Sequence, residues 1–252
     1  MEIKSLSLLS HFIVEKTMFR RFPKLYRSLY SLYKAVSDKD ELSLIQSVVT
    51  SGMTVLDIGA NIGIYTHYLL QLVGPAGEVH AFEPHPVNFH LLSQTFSNCK
   101  NVFLNESAVG KDNLDLSLFI SPFLNVDHRT YPSGDERDVQ IVHCTSMDNY
   151  LDESKQVDFI KMDIQGYEFH ALLGMERILR DNDHVKLLLE YVPKGLEASG
   201  YSGSELRSFL VARGFSLFSM SGKDRLKPLH EEEPKLNSLG YTNIYAQRDL
   251  GL

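Results

Sequence analysis

Cysteine is scarce in this chain, and long apolar runs are missing from it. The 252 residues include two cysteines, Cys99 and Cys144. Two are too few for a disulfide framework or a metal cluster, so a reducing, cytoplasmic setting is expected. No apolar run approaches the roughly 20 residues that a membrane-spanning helix requires. His11, Glu15 and Lys16 interrupt the first apolar stretch, and no small-residue cleavage site follows, so no secretory signal is expected.

Basic surface is also limited. The formal net charge is −7, and the local basic cluster comprises residues 20–24 with Arg27 and Lys34 nearby. This cluster is too short for the continuous basic face that nucleic-acid binding requires, so neither nucleic acid nor a membrane is expected as a partner. The length suffices for one full-sized α/β domain with a large core.

The first 38 residues differ in pattern from the rest. Apolar and aromatic residues recur at helical spacing over residues 6–36, and Pro23 is expected to separate two helices. We predict an N-terminal helical extension over residues 1–38 and a main domain over residues 39–252. The extension would be either a lid over a ligand crevice or a cover for the sheet edge.

From residue 40 onward, predicted strands alternate with helices, which is typical of a mostly parallel sheet covered on both faces. The seven predicted strands are Met53–Ile58, Glu78–Phe82, Asn101–Asn105, Val157–Met162, Val185–Leu189, Phe215–Phe218 and Tyr241–Ala246. The predicted helices are Ile62–Leu72, Pro86–Phe96, Tyr167–Leu179 and Ser204–Ala212. Two segments break the alternation, a β-excursion over residues 114–144 and a charged loop over residues 221–240.

The most informative segment is residues 54–66, in which an apolar strand enters a glycine-containing turn and then a helix. Glu83 follows about 20 residues after Gly63, which is how an α/β sheet builds a nucleoside crevice at its carboxyl edge. Asn61 stands at the position where a pyrophosphate would need glycine. A ligand without phosphates, held through a carboxylate by the helix N-terminus, would still fit. S-adenosylmethionine is such a ligand, with Asp57 facing its ammonium group and Glu83 its ribose hydroxyls.

Over roughly residues 40–248 the chain resembles the FkbM family of class I S-adenosylmethionine-dependent methyltransferases. The resemblance rests on residues 55–66, 81–86, 125–131, 158–168 and 189–193, in that order. It implies a Rossmann-like fold with a seven-stranded sheet, an antiparallel last strand and helices on both faces. Members of the family mostly methylate hydroxyl groups of small molecules or sugars. Tyr167 stands where the family often has alanine, and Gln165 where glutamate is frequent.

The predicted cofactor site follows the sheet edge, and S-adenosylhomocysteine would be the product. The residues expected at the methionine end are Asp57, Gly59, Asn61, Gly63, Tyr65 and Thr66. Those expected at the ribose and adenine are Glu83, Pro84, Asn105, Ser107 and Ala108.

Three residues are predicted to be catalytic. His128 is the candidate general base, because an imidazole with a pKa of roughly 6.5 accepts a proton at neutral pH. Asp163 and Glu190 end the fourth and fifth strands, where they would either orient the reacting groups or ligate a divalent metal. Two oxygen ligands are few for a metal, so no obligatory metal is favoured. The residues expected to bind an oxygen-rich acceptor are Asn125, Arg129 and Tyr131.

The leading hypothesis is therefore an O-methyltransferase acting on a small hydroxylated acceptor such as a sugar or secondary metabolite. N-methylation of a small amine and binding of S-adenosylmethionine without catalysis are the alternatives. A dinucleotide oxidoreductase is disfavoured by Asn61 and by the lack of a convincing Tyr-x-x-x-Lys pair.

Overall fold

The structure is a computed structural model that describes residues 21–121, 127–132, 136–220, 226–229 and 234–248. Its helices are α1 Pro23–Ser37, α2 Lys39–Val48, α3 Ile64–Val73, α4 Pro86–Phe96, α5 Met147–Tyr150, α6 Glu168–Leu173, α7 Glu176–Asp181, α8 Pro193–Ala198 and α9 Gly203–Val211. Its strands are β1 Thr54–Ile58, β2 Glu78–Phe82, β3 Val102–Asn105, β4 Ala108–Val109, β5 Leu114–Ile120, β6 Asp138–Thr145, β7 Phe159–Met162, β8 Lys186–Tyr191, β9 Phe215–Ser219, β10 Lys227–Pro228 and β11 Thr242–Arg248.

The main sheet has the strand order β10-β9-β11-β8-β7-β1-β2-β3. The strands from β8 to β3 pair in parallel, whereas β11 is antiparallel to both of its neighbours, β8 and β9. Parallel pairing brings the carboxyl ends of β1, β2, β7 and β8 to one edge, where the predicted site residues meet.

Alternation of side chains along each strand divides the core into two clusters, one on each face of the sheet. In β1, for example, Leu56 and Ile58 enter one cluster and Val55 enters the other. Helices α6, α7 and α9 cover the first face, and α2, α3 and α4 cover the second. Helices on both faces of a mostly parallel α/β sheet confirm the predicted fold class.

All seven predicted strands are present, and an eighth, the two-residue β10, is added at the edge. The predicted excursion over residues 114–144 contributes the hairpin of β5 and β6, which β4 extends into a separate three-stranded sheet.

Two predicted helices were wrong in their bounds. The helix expected from Ile62 begins at Ile64, because Asn61 and Gly63 adopt left-handed backbone conformations with φ of 51° and 85°. The single helix expected over Tyr167–Leu179 is two helices that meet near Gly174. A β-carbon there would lie 1.9 Å from the carbonyl oxygen of Gly110, so the chain must pass close to another backbone at this point.

The described part of the N-terminal extension, α1, packs against the start of α3. Tyr26 of α1 is buried together with Ile62 and Ile64. The first helix of the predicted pair lies outside the described residues. Across the ranges that the structure covers, no helix is long and apolar enough to cross a membrane.

Candidate active site

The turn between β1 and α3 forms the floor of the site. Gly59 has a φ of 81°, and a β-carbon on it would lie 1.9 Å from the backbone oxygen of Asp163. The first intrahelical hydrogen bond of α3 runs from the His67 N–H to the Gly63 carbonyl. The N–H groups of residues 64–66 therefore precede the helical ladder and are donors for a ligand carboxylate.

Glu83 follows β2 beside this turn and is 5% exposed. Its Oε2 accepts from the Asn61 N–H at 2.8 Å, and its Oε1 accepts from the His85 N–H at 2.9 Å. The Asn88 side chain also forms a hydrogen bond with this carboxyl group. An ionised carboxylate has about four acceptor positions, so it can still accept from a ligand hydroxyl. Burial raises the pKa of Glu83 to about 7, against the lowering effect of these hydrogen bonds. Pro84 is half-buried between Glu83 and His85.

Asp57 and Thr66 lie beneath the turn. Both are 0% exposed, and the Thr66 hydroxyl donates to Asp57 Oδ2 at 2.7 Å. Burial raises the pKa of Asp57, while Lys161 and Thr66 act in the opposite sense. In the structure both residues hold the turn in place, and their predicted contact with a cofactor stays a prediction.

Asp163 and Glu190 extend from the ends of neighbouring strands, as predicted. The Gln165 side-chain amide joins them, since its Nε2 donates to Asp163 Oδ1 at 3.0 Å and to Glu190 Oε2 at 2.8 Å. The Asp163 side chain is 32% exposed and therefore accessible to an acceptor. Gln165 entered the sequence argument only as a departure from the family.

The two carboxyl groups differ in protonation. Burial raises the pKa of Glu190 well above its ordinary value, and the charge of Asp163 raises it further. Burial would also raise the pKa of Asp163. Lys161, Lys34 and hydrogen bonds from Glu190 and Gln165 outweigh burial and leave that pKa below its ordinary value. The two pKa values are shifted in opposite directions, so a proton shared by the pair favours Glu190 over Asp163.

Glu168 supports the turn that carries Asp163. It is 0% exposed, and its Oε1 accepts from the N–H groups of Ile164 and Gly166. Burial raises its pKa to about 7. Within the described residues, the structure contains no group of three or more histidine, cysteine or acidic side chains that could hold a metal ion.

The predicted adenine residues lie at the ends of β3 and β4. The Asn105 side-chain amide donates to the Ala81 carbonyl at 3.3 Å and to the Tyr150 hydroxyl at 3.2 Å. Ser107 and Ala108 are buried, with 6% and 5% of their surfaces exposed. Asn105 is thus the half-buried member of this predicted group.

His128 lies beside His85, two residues after Glu83. The two rings are tilted at 46° with a centroid separation of 4.1 Å, and His128 Nδ1 accepts from the Ser121 N–H at 3.1 Å. A neutral ring that accepts at Nδ1 carries its proton on Nε2. The role of His128 as the general base stays a prediction.

The acceptor residues predicted near His128 are engaged by the protein itself. The Tyr131 hydroxyl donates to the Gln165 carbonyl at 2.6 Å, and Arg129 pairs with Asp127 at 2.8 Å. Residues 127–132 thus reach from the end of β2 to the turn after β7. Asn125 lies outside the described residues.

Tyr65 connects α3 to the N-terminal helices. Its hydroxyl oxygen lies within hydrogen-bond distance of Asp38 at 2.8 Å and of Glu41 at 2.6 Å, and Lys34 pairs with Asp38 at 2.7 Å. The Asn243 amide of β11 donates to the other oxygen of Glu41 at 2.6 Å. These contacts join α1, α2, α3 and β11 around one edge of the crevice.

A cleft of about 350 Å³ opens beside this network, and we call it the acidic cleft. Its lining residues are Ser37, Asp38, Asp40, Glu41, Met220, Lys235, Leu236, Asn237, Tyr241, Thr242 and Asn243. Asn243 is the cross-strand partner of Glu190, so the cleft adjoins the Asp163–Glu190 pair. Burial raises the pKa of Tyr241 to about 12. Lys34 acts in the opposite sense, and the nearby charges of Glu190, Glu41 and Asp38 raise the pKa of Tyr241 further.

These residues fit S-adenosylmethionine on structural grounds. The first turn of α3 offers backbone donors for the carboxylate, and Glu83 offers two buried acceptor oxygens for the ribose diol. Asn61, with its side chain folded onto the Ile62 N–H at 2.7 Å, occupies the position where a diphosphate would approach.

Comparison with known proteins identifies the family of this chain. Residues 57–217, more than half of the chain, match the family model described as the methyltransferase FkbM domain. A search of curated proteins finds no significant match.

Solved structures share the fold at low sequence identity. A candidate rRNA methylase from Clostridium thermocellum is 14% identical with a TM-score of 0.53, over 85% of this chain and 97% of that one. The methyltransferase FkbM from Methylobacillus flagellatus KT is 15% identical with a TM-score of 0.49. That alignment covers 97% of this chain but 58% of the other, so this chain spans little more than half of that protein's length.

The strand order and the family match together define the fold of class I S-adenosylmethionine-dependent methyltransferases. The chain belongs to the FkbM methyltransferase family.

Proposed function

We propose that the enzyme transfers a methyl group to a hydroxyl of a small, uncharged or cationic acceptor, with Asp163 receiving the hydroxyl proton. The observation that carries this proposal is the Asp163–Gln165–Glu190 arrangement at the carboxyl ends of β7 and β8. Two carboxyl groups whose pKa values are shifted in opposite directions lie there, beside the turn expected to hold the cofactor.

When bound, S-adenosylmethionine supplies a methyl group on a sulfonium sulfur, which retains the electron pair of the broken S–C bond. Asp163 accepts a hydrogen bond from the acceptor hydroxyl and aligns its lone pair with the methyl carbon. As the new O–C bond forms, the hydroxyl proton passes to Asp163. Positioning of this kind contributes on the order of 7–11 kcal/mol to such reactions, and proton transfer adds roughly 10²–10⁴-fold.

The acidic cleft supports the acceptor class. Three carboxylates and one lysine line it, together with asparagine, tyrosine and threonine side chains suited to hydroxyl groups. A phosphate or carboxylate ligand would be repelled there, whereas a neutral polyol or an amine-bearing sugar would be accommodated. We also propose that α1 forms one wall or lid of the acceptor site, because its Lys34 and Tyr30 interact electrostatically with Asp163.

The test uses purified full-length protein, methyl-labelled S-adenosylmethionine and a panel of sugars, phenols, amines and ribosomal RNA. RNA is included because a candidate rRNA methylase is among the structural neighbours. We expect label in hydroxylated small molecules and none in RNA. Transfer to RNA or to amines alone would overturn the proposed acceptor class.

Asp163→Asn tests the proton acceptor. The variant keeps the shape of the side chain, so S-adenosylhomocysteine affinity should change by less than about threefold, while kcat should fall by roughly 10²–10⁴. Asp181→Asn, at an exposed carboxylate paired with Arg180, is the control. If Asp163→Asn retains full kcat, the proton leaves by another route, and His128→Ala becomes the next variant to measure.

A further inference from the structure

Lys161 lies in the interior strand β7, where lysine is rare. The residue is 6% exposed, and its neighbours Ile160 and Met162 are fully within the core. A buried ammonium loses its hydration and persists only where nearby groups compensate its charge. No step of the proposed reaction has yet used this residue.

The Lys161 ammonium stands between the two sides of the site. Its Nζ lies 3.6 Å from Asp57 Oδ1 and 3.8 Å from Asp163 Oδ2, and it donates to the Gly59 carbonyl at 3.4 Å. The ring of Tyr65 lies on another side of it, with the centroid 4.8 Å from Nζ. The Lys161 ammonium thus contacts β1, the turn between β1 and α3, α3 itself, and Asp163 after β7.

We propose that Lys161 is a positioning residue for Asp163. It keeps the Asp163 carboxylate ionised and directed towards the acceptor, and it fixes this carboxylate to the turn between β1 and α3. The proposal rests on the proposed function for its catalytic meaning. The electrostatic effect of Lys161 on Asp163 involves groups of the protein itself and is measurable without an acceptor.

Lys161 can have this effect because the carboxyl groups of Asp163 and Glu190 compete for one proton. Asp163 and Glu190 share a hydrogen bond, so a charge near one of them decides which remains ionised. Lys161 contacts Asp163. The other charged or titratable groups that interact with the pair are Lys34 and Tyr30 of α1, Glu41 of α2, Asp57 of β1, Glu168 of α6 and Tyr241 before β11. Of the two cations among all these groups, Lys161 has the larger effect on Asp163, ahead of Lys34.

The primary test is an NMR titration of the side-chain carboxyl carbons in protein labelled at aspartate and glutamate. In the wild-type protein, the Asp163 signal should show an ionised group from pH 6 to 8, while Glu190 remains protonated. Lys161→Met should raise the Asp163 midpoint by at least one pH unit, and Lys161→Arg should restore most of the difference. An Asp163 midpoint that is the same in Lys161→Met and wild type would overturn the proposal.

Lys161→Met also leaves buried Asp57 without its cation, which by itself can prevent folding. The double variant Asp57→Asn/Lys161→Met removes both charges and is compared with Asp57→Asn alone. The same rise of the Asp163 midpoint is expected in this pair. No rise between these two proteins would show that Lys161 serves only to neutralise Asp57.

Activity supplies the second readout. The acidic limb of kcat against pH should move upward by about the same amount in Lys161→Met, with the rate recovering towards pH 9. Lys161→Arg should keep the acidic limb of the wild-type protein.

If the NMR shift is present but no hydroxyl acceptor is methylated by any of the proteins, the proposed function fails and the electrostatic role of Lys161 stands. If the limb stays fixed while the carboxyl midpoint moves, Asp163 is not the group that limits the reaction, which overturns the catalytic part of the proposal.

Discussion

The backbone oxygen of Asp163 lies 1.9 Å from the point that a β-carbon on Gly59 would occupy. Gly59→Ala must therefore push β1 away from the end of β7 as well as strain a backbone with a φ of 81°. We expect a loss of stability on the order of 4 kcal/mol and loss of S-adenosylhomocysteine binding. Equilibrium unfolding in urea and calorimetry measure the two effects.

Gly52→Ala is the matched control, because Gly52 has a φ of 89° and nothing within 4 Å of the added carbon. Only the backbone penalty of roughly 1–2 kcal/mol should appear there. Equal losses in the two variants would show that the contact with Asp163 is not tight in solution.

Glu83→Gln tests the ribose assignment. Loss of the charged acceptor should weaken S-adenosylhomocysteine binding by about 1.5–3 kcal/mol, or roughly 10–100-fold. Glu197→Gln on the exposed side of α8 is the control and should bind as wild type. Unchanged affinity of Glu83→Gln in calorimetry would remove Glu83 from the cofactor site.

The same residue predicts a pH dependence of binding. Burial raises the pKa of Glu83 to about 7, so the ionised acceptor is lost as the pH falls below that value. S-adenosylhomocysteine affinity should therefore drop between pH 8 and pH 6, and the drop should be smaller in Glu83→Gln. A wild-type affinity that is flat over this range would argue against a carboxylate–ribose contact.

Stability of the ligand-free protein should respond in the opposite direction. Burial raises the pKa values of Glu41, Glu83 and Glu168 to about 7, so each stabilises the fold when protonated and loses that contribution as pH rises through 7. Melting temperatures should therefore fall from pH 6.5 to pH 8. Glu168→Gln, which keeps an acceptor for the Ile164 and Gly166 N–H groups, should show a shallower fall. An unchanged slope in that variant would contradict the assignment.

Tyr65→Phe tests the junction between the N-terminal helices and the main domain. It removes hydroxyl bonds to Asp38 and Glu41, and we expect the free energy of unfolding to decrease by about 1–3 kcal/mol. Tyr68→Phe is the control, since Tyr68 lies in the same helix with its ring packed near Tyr26. If both variants unfold alike, the hydroxyl bonds of Tyr65 contribute little.

The fold was predictable because its signals are local. Each strand of the main sheet except β10 appears as a short apolar run, and Pro86 marks the first turn of its helix. The break near Gly174 was not predictable, because the close approach of Gly110 is set by tertiary packing. The two-residue strand β10 is likewise too short to leave a periodic pattern.

The ends of strands predicted that Glu83, Asp163 and Glu190 lie at one edge of the sheet. The contacts of a side chain depend on neighbours distant in sequence, and the sequence therefore held no signal for the contacts of Asp57 with Thr66 and Lys161. A lysine inside the apolar run of β7 was the available signal for Lys161, and it indicates a compensated buried charge.

The position of β11 has a consequence for biosynthesis. It is the last strand of the described chain, yet it lies between β8 and β9 and pairs with both. As the ribosome releases the polypeptide from its N-terminus, β8 and β9 emerge with open backbone edges that only residues 242–248 can join. Residues 242–248 must therefore leave the exit tunnel before Asn243 reaches Glu190 and this side of the acidic cleft is complete.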